Sequence, residues 1–344
     1  MMVELSMSGV MFSLSSVMSF MFSVLGVLIS LVSLNLLGVW VGIELNFLAV
    51  LCFMSGSSVE ETEGVMKYYM VQILGSCFSM MGFLMMVNGV EMFLGSVFIL
   101  LGMLIKLGAF PFYFWVAPVV SKLSWPACKI VLVLQKVTPL WVVSNCLFLG
   151  WEISYLELLC VLTCCFGCLG GLGILNYRVL LGFSSIQHLG CLMILSCCSS
   201  WSMWMYLIGY SVLNIGLMIS LWVLNISSFM DLSKASSLEN LSSSWWVSVY
   251  MLSIAGLPPF SGCALKTLFL ISCWGSMSVG GSLCMLTSCV SLVFYLSVVL
   301  AMTVYWGKSI FKMKKSSNSY FYVGLVSIMI NLAIGPLLFS FSSL

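Results

Sequence analysis

Residues 92–119 read MFLGSVFILLGMLIKLGAFPFYFWVAPV and carry one charged side chain, Lys106. A helix needs about 20 apolar residues to cross a bilayer, so this run is long enough to span one. Pro111 follows Lys106 by one turn, and proline removes a backbone donor and clashes with the preceding helical turn. Inside a bilayer such a break survives only where it is buried in protein or lines a wet cavity. The stretch therefore predicts a broken membrane helix with a charge beside the break.

The rest of the chain has the same apolar character. Of its 344 residues, 62% are hydrophobic and only 6% are Asp, Glu, Lys or Arg, whereas a soluble domain carries roughly 25% charged residues. We therefore predict an all-α, polytopic membrane protein that forms a single transmembrane domain over residues 1–344, with no linker. The apolar runs predict about eleven membrane helices, near residues 8–26, 28–54, 65–88, 92–119, 126–149, 154–175, 180–199, 203–225, 244–273, 281–306 and 320–341.

Basic residues set the predicted orientation in the membrane. The loops that follow odd-numbered spans hold no Lys or Arg, whereas those that follow even-numbered spans hold or adjoin Lys67, Lys122, Lys129, Arg178, Lys234, Lys308, Lys312, Lys314 and Lys315. Basic loops stay on the side of synthesis. With eleven spans, the N-terminus shares that side and the C-terminus lies opposite. An acidic loop at residues 60–63 is expected on the basic side as well.

Composition also bears on compartment and cofactors. The first residues show neither a secretory signal nor an Arg-rich transit peptide, and the abundance of Met, Cys, Phe, Val and Trp is typical of small organelle genomes. Cysteines at near-helical spacing, Cys160, Cys164, Cys165 and Cys168, lie in an apolar span without histidine or carboxylate ligands. We interpret the cysteines as packing residues rather than metal ligands or disulfide partners. No nucleotide- or flavin-binding motif occurs in the sequence.

A second break is predicted near the end of the chain. Residues 256–266 read GLPPFSGCALK, in which Pro258 and Pro259 follow Gly256 and precede Lys266 within one span. Discontinuous helices in corresponding parts of a transporter point to its ion site. A simple kink is the alternative at either break. The recurrence of a lysine beside both breaks favours a functional site.

Five ionisable residues fall inside apolar runs, where a charged side chain costs about 2.5–3.5 kcal/mol and usually marks an ion or proton route. These residues are Glu44, Lys106, Lys136, His188 and Lys266. Glu44 is expected to pair with Lys106; the alternative is a static ion pair that only fixes helix packing. Lys136 lies within its span, and a lysine, unlike an arginine, can give up its proton. His188 is the only histidine; it suits a proton relay or is a core histidine bonded to a serine.

At these residues the sequence resembles the mitochondrial NADH–ubiquinone oxidoreductase chain 2 family, the antiporter-like subunits of respiratory complex I. The matching stretches occur in the family's order and span most of the chain: 40–46 (WVGIELN), 67–72 (KYYMVQ), 106–115 (KLGAFPFYFW), 134–139 (LQKVTP), 184–190 (SSIQHLG) and 256–266 (GLPPFSGCALK). Each stretch is weak alone, and together they are specific.

The resemblance implies an antiporter-like fold of half-channels with two discontinuous helices. It assigns proton translocation to Glu44, Lys106, Lys136 and Lys266, places the helix breaks at Pro111, Pro258 and Pro259, and leaves His188 as an accessory relay. The sequence departs from the family at Tyr113, where histidine is common, and at residues 117–119 (APV), which replace a typical Pro-Glu pair.

The same resemblance implies a membrane-arm subunit of the proton-pumping NADH:ubiquinone oxidoreductase, with no redox centre on this chain. No metal is expected here, and NADH, FMN, iron–sulfur clusters and ubiquinone would be held by partner subunits. Its expected partners are other membrane-arm subunits, including neighbouring antiporter-like subunits, and membrane lipids, with no nucleic acid. The expected location is the mitochondrial inner membrane, with the N-terminus on the matrix side and the C-terminus on the intermembrane-space side.

Two alternatives belong to other classes of protein. A free-standing cation/proton antiporter would be longer, with some fourteen helices, and would work without redox partners. A structural membrane scaffold would have no need of four ionisable residues inside its spans. Purification of the native protein separates the first alternative, because a subunit of complex I is recovered in a large redox complex.

Overall fold

The computed structural model describes residues 14–55, 58–89, 92–145, 150–224, 226–229, 231, 241–258, 260–310, 329, 331–333 and 335–336. In these residues the regular elements are helices, and the β-type pairing is an isolated bridge between Asn176 and Ser228. The helices are α1 (Leu14–Val32), α2 (Leu36–Met54), α3 (Val59–Asn88), α4 (Met92–Leu107), α5 (Val116–Lys122), α6 (Trp125–Lys129), α7 (Gln135–Asn145), α8 (Gly150–Gly171), α9 (Tyr177–Cys198), α10 (Ser200–Val223), α11 (Leu241–Ala255), α12 (Ser261–Cys273) and α13 (Ser278–Ile310). The predicted all-α class is confirmed.

Nine helical stretches of the described residues are long and apolar enough to cross a membrane. Two of these stretches are composite, because α4 continues through a 3₁₀ turn into α5, and α6 continues through a π-helical segment into α7. Helices α11 and α12, of 15 and 13 residues, account together for the predicted ninth span. The eleventh predicted span, 320–341, falls mainly outside the described residues, so the count of about eleven stays approximate.

The acidic residues predicted as a loop belong instead to the start of α3. This helix begins at Val59, and the hydroxyl of its N-cap residue, Ser58, accepts a hydrogen bond from the Glu61 amide at 3.3 Å. Acidic side chains in a first turn are stabilised by the positive end of the helix dipole, which explains the helical start. Glu63 forms ion pairs with Lys67, at 2.8 Å, and with Lys122 at the end of α5.

Close contact between α3 and α4 positions the first predicted break. A methyl group on Gly102 would lie 2.7 Å from the Ser79 amide nitrogen, so only glycine allows the two backbones to approach this closely. A methyl group on Gly75 would lie 2.8 Å from Cγ of Lys106. The small residues of α3 therefore leave the space that the Lys106 side chain occupies.

Helix α9 is the most enclosed of the long helices, because most of its residues are buried. It packs against α5, α7, α8, α10, α12 and α13. Polar residues nevertheless lie along it, among them Ser184, Ser185, Gln187 and His188, all buried. The centre of the bundle is thus polar at one level of α9.

Candidate functional site

Glu44 on α2 and Lys106 on α4 form an ion pair inside the bundle. The Lys106 ammonium donates a hydrogen bond to Oε1 of Glu44 at 2.7 Å, and the two side chains are 2% and 19% exposed. The pairing expected from the sequence is confirmed. Each charge alone would be costly at a buried position, and the pair offsets part of that cost.

The first break holds Lys106 at the end of α4. Gly108, with φ +71°, donates to the Ile105 carbonyl at 3.2 Å, and Ala109 donates to the Leu104 carbonyl at 3.0 Å. These two bonds form a Schellman motif, which ends a helix at a left-handed glycine. Pro111 lies in the turn after this motif, before the 3₁₀ turn Phe112–Trp115. The predicted discontinuity is confirmed, and a glycine ends the helix before the proline.

Two side chains donate hydrogen bonds to carbonyl groups in the last turn of α4. The Gln72 amide donates to the Lys106 carbonyl at 3.2 Å, and the Trp115 indole donates to the Ile105 carbonyl at 3.2 Å. Sequence reasoning gave no role to either residue, although both lie in stretches that carry the family resemblance. Because Gln72 is a buried amide in an apolar span, its polarity was the signal that could have singled it out.

A small cavity lies between Lys106 and Lys136. Its volume is about 10 Å³, roughly that of one water-sized sphere, and its lining includes Lys106, Gln135, Lys136 and Ser185. Apolar side chains make up most of its wall. The two lysines therefore line one small, mainly apolar cavity.

Lys136 lies at the start of α7, directly after the π-helical segment Ile130–Leu134 and Gln135. The residue is 6% exposed. Its ammonium donates to the Ser185 carbonyl of α9 at 2.7 Å and lies 5.6 Å from the centre of the Tyr210 ring. Within the described residues no carboxylate lies within ion-pair distance of Lys136, in contrast to Lys106. The sequence did not predict the π-helical segment.

His188 lies on α9 beside two tyrosines of α10. Its Nδ1 atom is 2.9 Å from the Tyr206 hydroxyl, and its ring centre is 4.7 Å from that of Tyr210. Its hydrogen-bond partner is therefore a tyrosine, not the serine of the alternative considered from the sequence. The Tyr210 ring lies between His188 and Lys136, whose ammonium is 5.6 Å from the ring centre. The histidine thus belongs to the same polar centre as Lys136.

The second break, between α11 and α12, repeats the helix end of the first. Gly256, with φ +79°, donates to the Ser253 carbonyl at 3.0 Å, and Leu257 donates to the Leu252 carbonyl at 3.3 Å. Lys266 on α12 reaches back across the break, and its ammonium donates to the Ala255 carbonyl at 2.6 Å. Pro258 lies in the turn, and Pro259 lies outside the described residues.

The positions that depart from the family pattern take structural contacts. Tyr113 lies in the 3₁₀ turn, and its ring is stacked 5.1 Å from that of Phe166 on α8. Residues 117–119 continue α5 without an acidic side chain. Among the described residues no group of three or more His, Cys, Asp or Glu side chains could hold a metal ion. The expectation that cofactors belong to partner subunits stays a prediction.

The chain is similar to one family of membrane proteins in sequence. The model of the transmembrane family described as NADH:quinone oxidoreductase/Mrp antiporter matches residues 84–295. NADH-ubiquinone oxidoreductase chain 2 of Albinaria caerulea is 30% identical over 339 residues, which cover 95% of this chain and 99% of the relative. The protein of the same name from Branchiostoma floridae is 34% identical over 269 residues, covering 75% of this chain and 77% of the relative.

Solved structures share the fold. A chain of respiratory complex I from Thermus thermophilus matches with a TM-score of 0.76 at 19% identity, covering 95% of this chain and 80% of that one. A chain of an archaeal membrane-bound sulfane sulfur reductase matches with a TM-score of 0.79 at 16% identity, covering 95% and 73%. A chain of the Mrp complex from a Dietzia species matches with a TM-score of 0.64 at 17% identity, covering 84% and 59%.

Proposed function

The chain belongs to the NADH-ubiquinone oxidoreductase chain 2 family, and we propose that it moves protons along a row of four ionisable residues. This lysine row consists of Glu44, Lys106, Lys136 and Lys266. The chain is a membrane subunit of the proton-translocating NADH:ubiquinone oxidoreductase, whose redox chemistry takes place elsewhere in the complex. The function of the lysine row is to couple that chemistry to proton movement.

The observation that carries the proposal is the setting of Lys136. It is a buried lysine whose ammonium is held by a backbone carbonyl, and it lines a small cavity together with Lys106. A carbonyl accepts a hydrogen bond from a neutral amine as well as from an ammonium, because both carry N–H donors. Lys136 can therefore lose and regain a proton without losing its anchor. A packing residue has no need of this costly arrangement.

Electrostatics gives the transfer its direction. While Lys106 is paired with Glu44, much of its charge is compensated. If the pair separates, the Lys106 ammonium repels a proton on Lys136, and this repulsion is strong in a low-dielectric interior. The proton then moves away from Lys106, toward Tyr210, His188 and the half-helix that carries Lys266.

The finer assignments rest on the family and on the loop charges. We propose the mitochondrial inner membrane as the location, with the N-terminus on the matrix side, because the basic residues follow even-numbered spans. Its partners are proposed to be other membrane-arm subunits, including antiporter-like neighbours. NADH, FMN, iron–sulfur clusters and ubiquinone are assigned to those other subunits of the complex.

A free-standing cation/proton antiporter is the second candidate, and the Mrp complex among the similar structures is the observation that favours it. That match covers 59% of the other chain, whereas the relative from Albinaria caerulea is covered over 99% of its length. The membrane subunit is therefore the better supported function. Purification from native membranes tests it: the chain should co-purify with NADH oxidation activity, and a lone exchanger would contradict the proposal.

The decisive experiment replaces Lys136 with methionine in the assembled complex. Met is apolar and of similar length, so Lys136→Met should assemble normally, but it cannot carry a proton. We expect the ratio of protons translocated to NADH oxidised, measured in sealed vesicles, to fall. Lys136→Arg should also lower the ratio, because arginine does not release its proton. A wild-type ratio in Lys136→Met would make Lys136 structural.

Lys129 provides the matched control. It lies seven positions before Lys136 in the same composite span and is half-buried, with its ammonium 4.9 Å from the centre of the Trp222 ring. It does not line the cavity shared by Lys106 and Lys136. We expect Lys129→Met to keep the proton ratio, so that the loss in Lys136→Met cannot be ascribed to removal of any lysine from this span.

A further inference from the structure

Two cysteines meet where α9 and α12 end. Cys198 is the last residue of α9, and Cys273 is the last residue of α12. Their Sγ atoms are 4.0 Å apart, and the Ser276 hydroxyl donates a hydrogen bond to Sγ of Cys198 at 3.0 Å. The loop that follows Cys273 is open, with Trp274 75% exposed. The two thiols thus lie side by side at the ends of their helices, with Cys198 half-buried and Cys273 only 1% exposed.

We propose that Cys198 and Cys273 form a reversible disulfide that ties α12 to α9. A disulfide needs Sγ atoms about 2.05 Å apart, so the two sulfur atoms must approach by about 2 Å. Ser276 stabilises a thiolate on Cys198 by donating to its sulfur, and the thiolate is the reactive form of cysteine. The interpretation of all the cysteines as packing residues does not extend to this pair.

Another close pair shows why position matters. Cys164 and Cys191 also have Sγ atoms 4.0 Å apart, but both are buried between α8 and α9. An oxidant in water cannot reach them, and buried cysteines in apolar surroundings are inert. Cys198, by contrast, is half-buried beside the exposed loop, so an oxidant can attack it. Cys273 is buried, and it has to reach only the neighbouring sulfur of Cys198. We therefore expect oxidation at Cys198 and Cys273 and none at Cys164 and Cys191.

The chemistry is thiol–disulfide exchange with a small disulfide such as oxidised glutathione. The Cys198 thiolate attacks one sulfur of the oxidant, the S–S bond of the oxidant breaks, and one glutathione thiolate leaves and takes up a proton. The thiolate of Cys273 then attacks Sγ of Cys198 in the mixed disulfide, and the second glutathione leaves. Two protein thiols are oxidised to one disulfide, and one oxidised glutathione is reduced to two thiols.

The cross-link would join two helices that carry or contact residues of the lysine row. Helix α12 carries Lys266 seven positions before Cys273, and α9 carries His188 and the Ser185 carbonyl that holds Lys136. Fixing α12 to α9 would hinder movement of Lys266 relative to His188. We infer that oxidation lowers proton translocation; this consequence rests on the proposed function, whereas formation of the disulfide does not.

Disulfide mapping on the native complex tests the site without any variant. The purified complex is treated with oxidised glutathione, free thiols are blocked with N-ethylmaleimide, and the digested chain is analysed by mass spectrometry. We expect a Cys198–Cys273 linked peptide that disappears after dithiothreitol, with Cys164 and Cys191 unlinked. If Cys198 and Cys273 remain two free or blocked thiols after oxidation, the proposal is overturned.

Variants test the consequence for proton translocation. Oxidation should lower the proton ratio of the wild-type complex, and dithiothreitol should restore it. Cys198→Ser and Cys273→Ser should each abolish this sensitivity, whereas the neighbouring Cys197→Ser should keep it. A linked peptide with an unchanged proton ratio would overturn the regulatory role alone. Failure of the proposed function is recognised separately, by a wild-type ratio in Lys136→Met under reducing conditions.

Discussion

At the first helix break the lysine stands before the break and meets a carboxylate, whereas at the second it stands after the break and meets a backbone carbonyl. Lys106 is paired with Glu44 at 2.7 Å, and Lys266 donates to the Ala255 carbonyl at 2.6 Å. The helix ends themselves are alike, because a left-handed glycine closes a Schellman motif in each, at Gly108 and at Gly256. The two breaks therefore share the backbone conformation of the helix end, but they differ in the group that accepts a hydrogen bond from the lysine.

This difference separates two ways of stabilising a cation inside a membrane protein. A carboxylate holds the lysine in its charged form, because loss of the proton would leave the carboxylate alone. The C-terminal end of a helix carries only a partial negative charge, equivalent to roughly half a unit. Lys266 and Lys136 are both held by carbonyls, which accept from a lysine in either protonation state. In the proposed mechanism these two lysines carry the proton, and Lys106 is the charge that acts on them.

The largest expected effect comes from breaking the ion pair one partner at a time. Glu44→Gln or Lys106→Met leaves the other charge uncompensated, and such changes cost about 3–5 kcal/mol for a buried pair. Because Glu44 is 19% exposed, we expect the lower part of that range. Lys266→Met removes only the hydrogen bond from the ammonium to a carbonyl, worth about 1.5–3 kcal/mol. The thermal midpoint of the assembled complex measures these losses.

The double variant is the control for this prediction. Glu44→Gln combined with Lys106→Met removes both charges, so it should regain most of the stability that each single variant loses, as a double-mutant cycle shows. If the double variant is as unstable as the sum of the two single variants, the two residues do not interact energetically. The contrast drawn between the two breaks would then lose its basis.

The two breaks also show how far sequence reasoning reaches. Charges and prolines are rare in apolar runs, so the sequence singles out Lys106, Lys266, Pro111 and Pro258. The helix breaks occur at the positions that these residues predict. The prolines are nevertheless not the residues that end the helices, because a left-handed glycine ends each helix before its proline.

The sequence did not predict most of the groups on other helices that accept hydrogen bonds from the buried lysines. The Ser185 carbonyl that holds Lys136 belongs to α9, 49 residues away along the chain. A backbone carbonyl leaves no mark in the sequence, because every residue has one. Glu44 was predictable as a partner because it is a rare acidic residue within a span. The π-helical segment before Lys136, Ile130–Leu134, consists of apolar residues like those of the other spans, so its sequence does not distinguish it from an α-helix.

A smaller effect is expected from alanine at the two left-handed glycines. Positive φ costs an L-residue roughly 1–2 kcal/mol, so Gly108→Ala and Gly256→Ala should lower the thermal midpoint to a similar extent. The added methyl group at position 256 would also lie 2.5 Å from Cε of Lys266, whereas at position 108 it would meet Cγ2 of Val116 at 2.5 Å. Only Gly256→Ala should therefore displace a lysine of the proposed proton route.

Measured proton ratios distinguish the two glycine variants. We expect a lower ratio of protons translocated to NADH oxidised in Gly256→Ala than in Gly108→Ala, at similar stability. Gly275→Ala is the neutral control, because no atom lies within 4 Å of its added methyl group. Equal proton ratios in the two variants would mean that the position of Lys266 against the Ala255 carbonyl has no part in proton transfer.

The smallest effect is expected where capping and proton transfer are carried by different residues. At the second break Lys266 caps the helix end and is also the proposed proton carrier, because its ammonium is itself the donor to the Ala255 carbonyl. At the first break Gln72 donates to the Lys106 carbonyl, and the Lys106 ammonium is left for Glu44. Gln72→Met keeps the length of the side chain and removes the donor, at a cost of about 1 kcal/mol. We expect a slightly lower thermal midpoint and an unchanged proton ratio; a loss of proton translocation as large as that of Lys106→Met would show that the cap at the first break also controls the charge of its lysine.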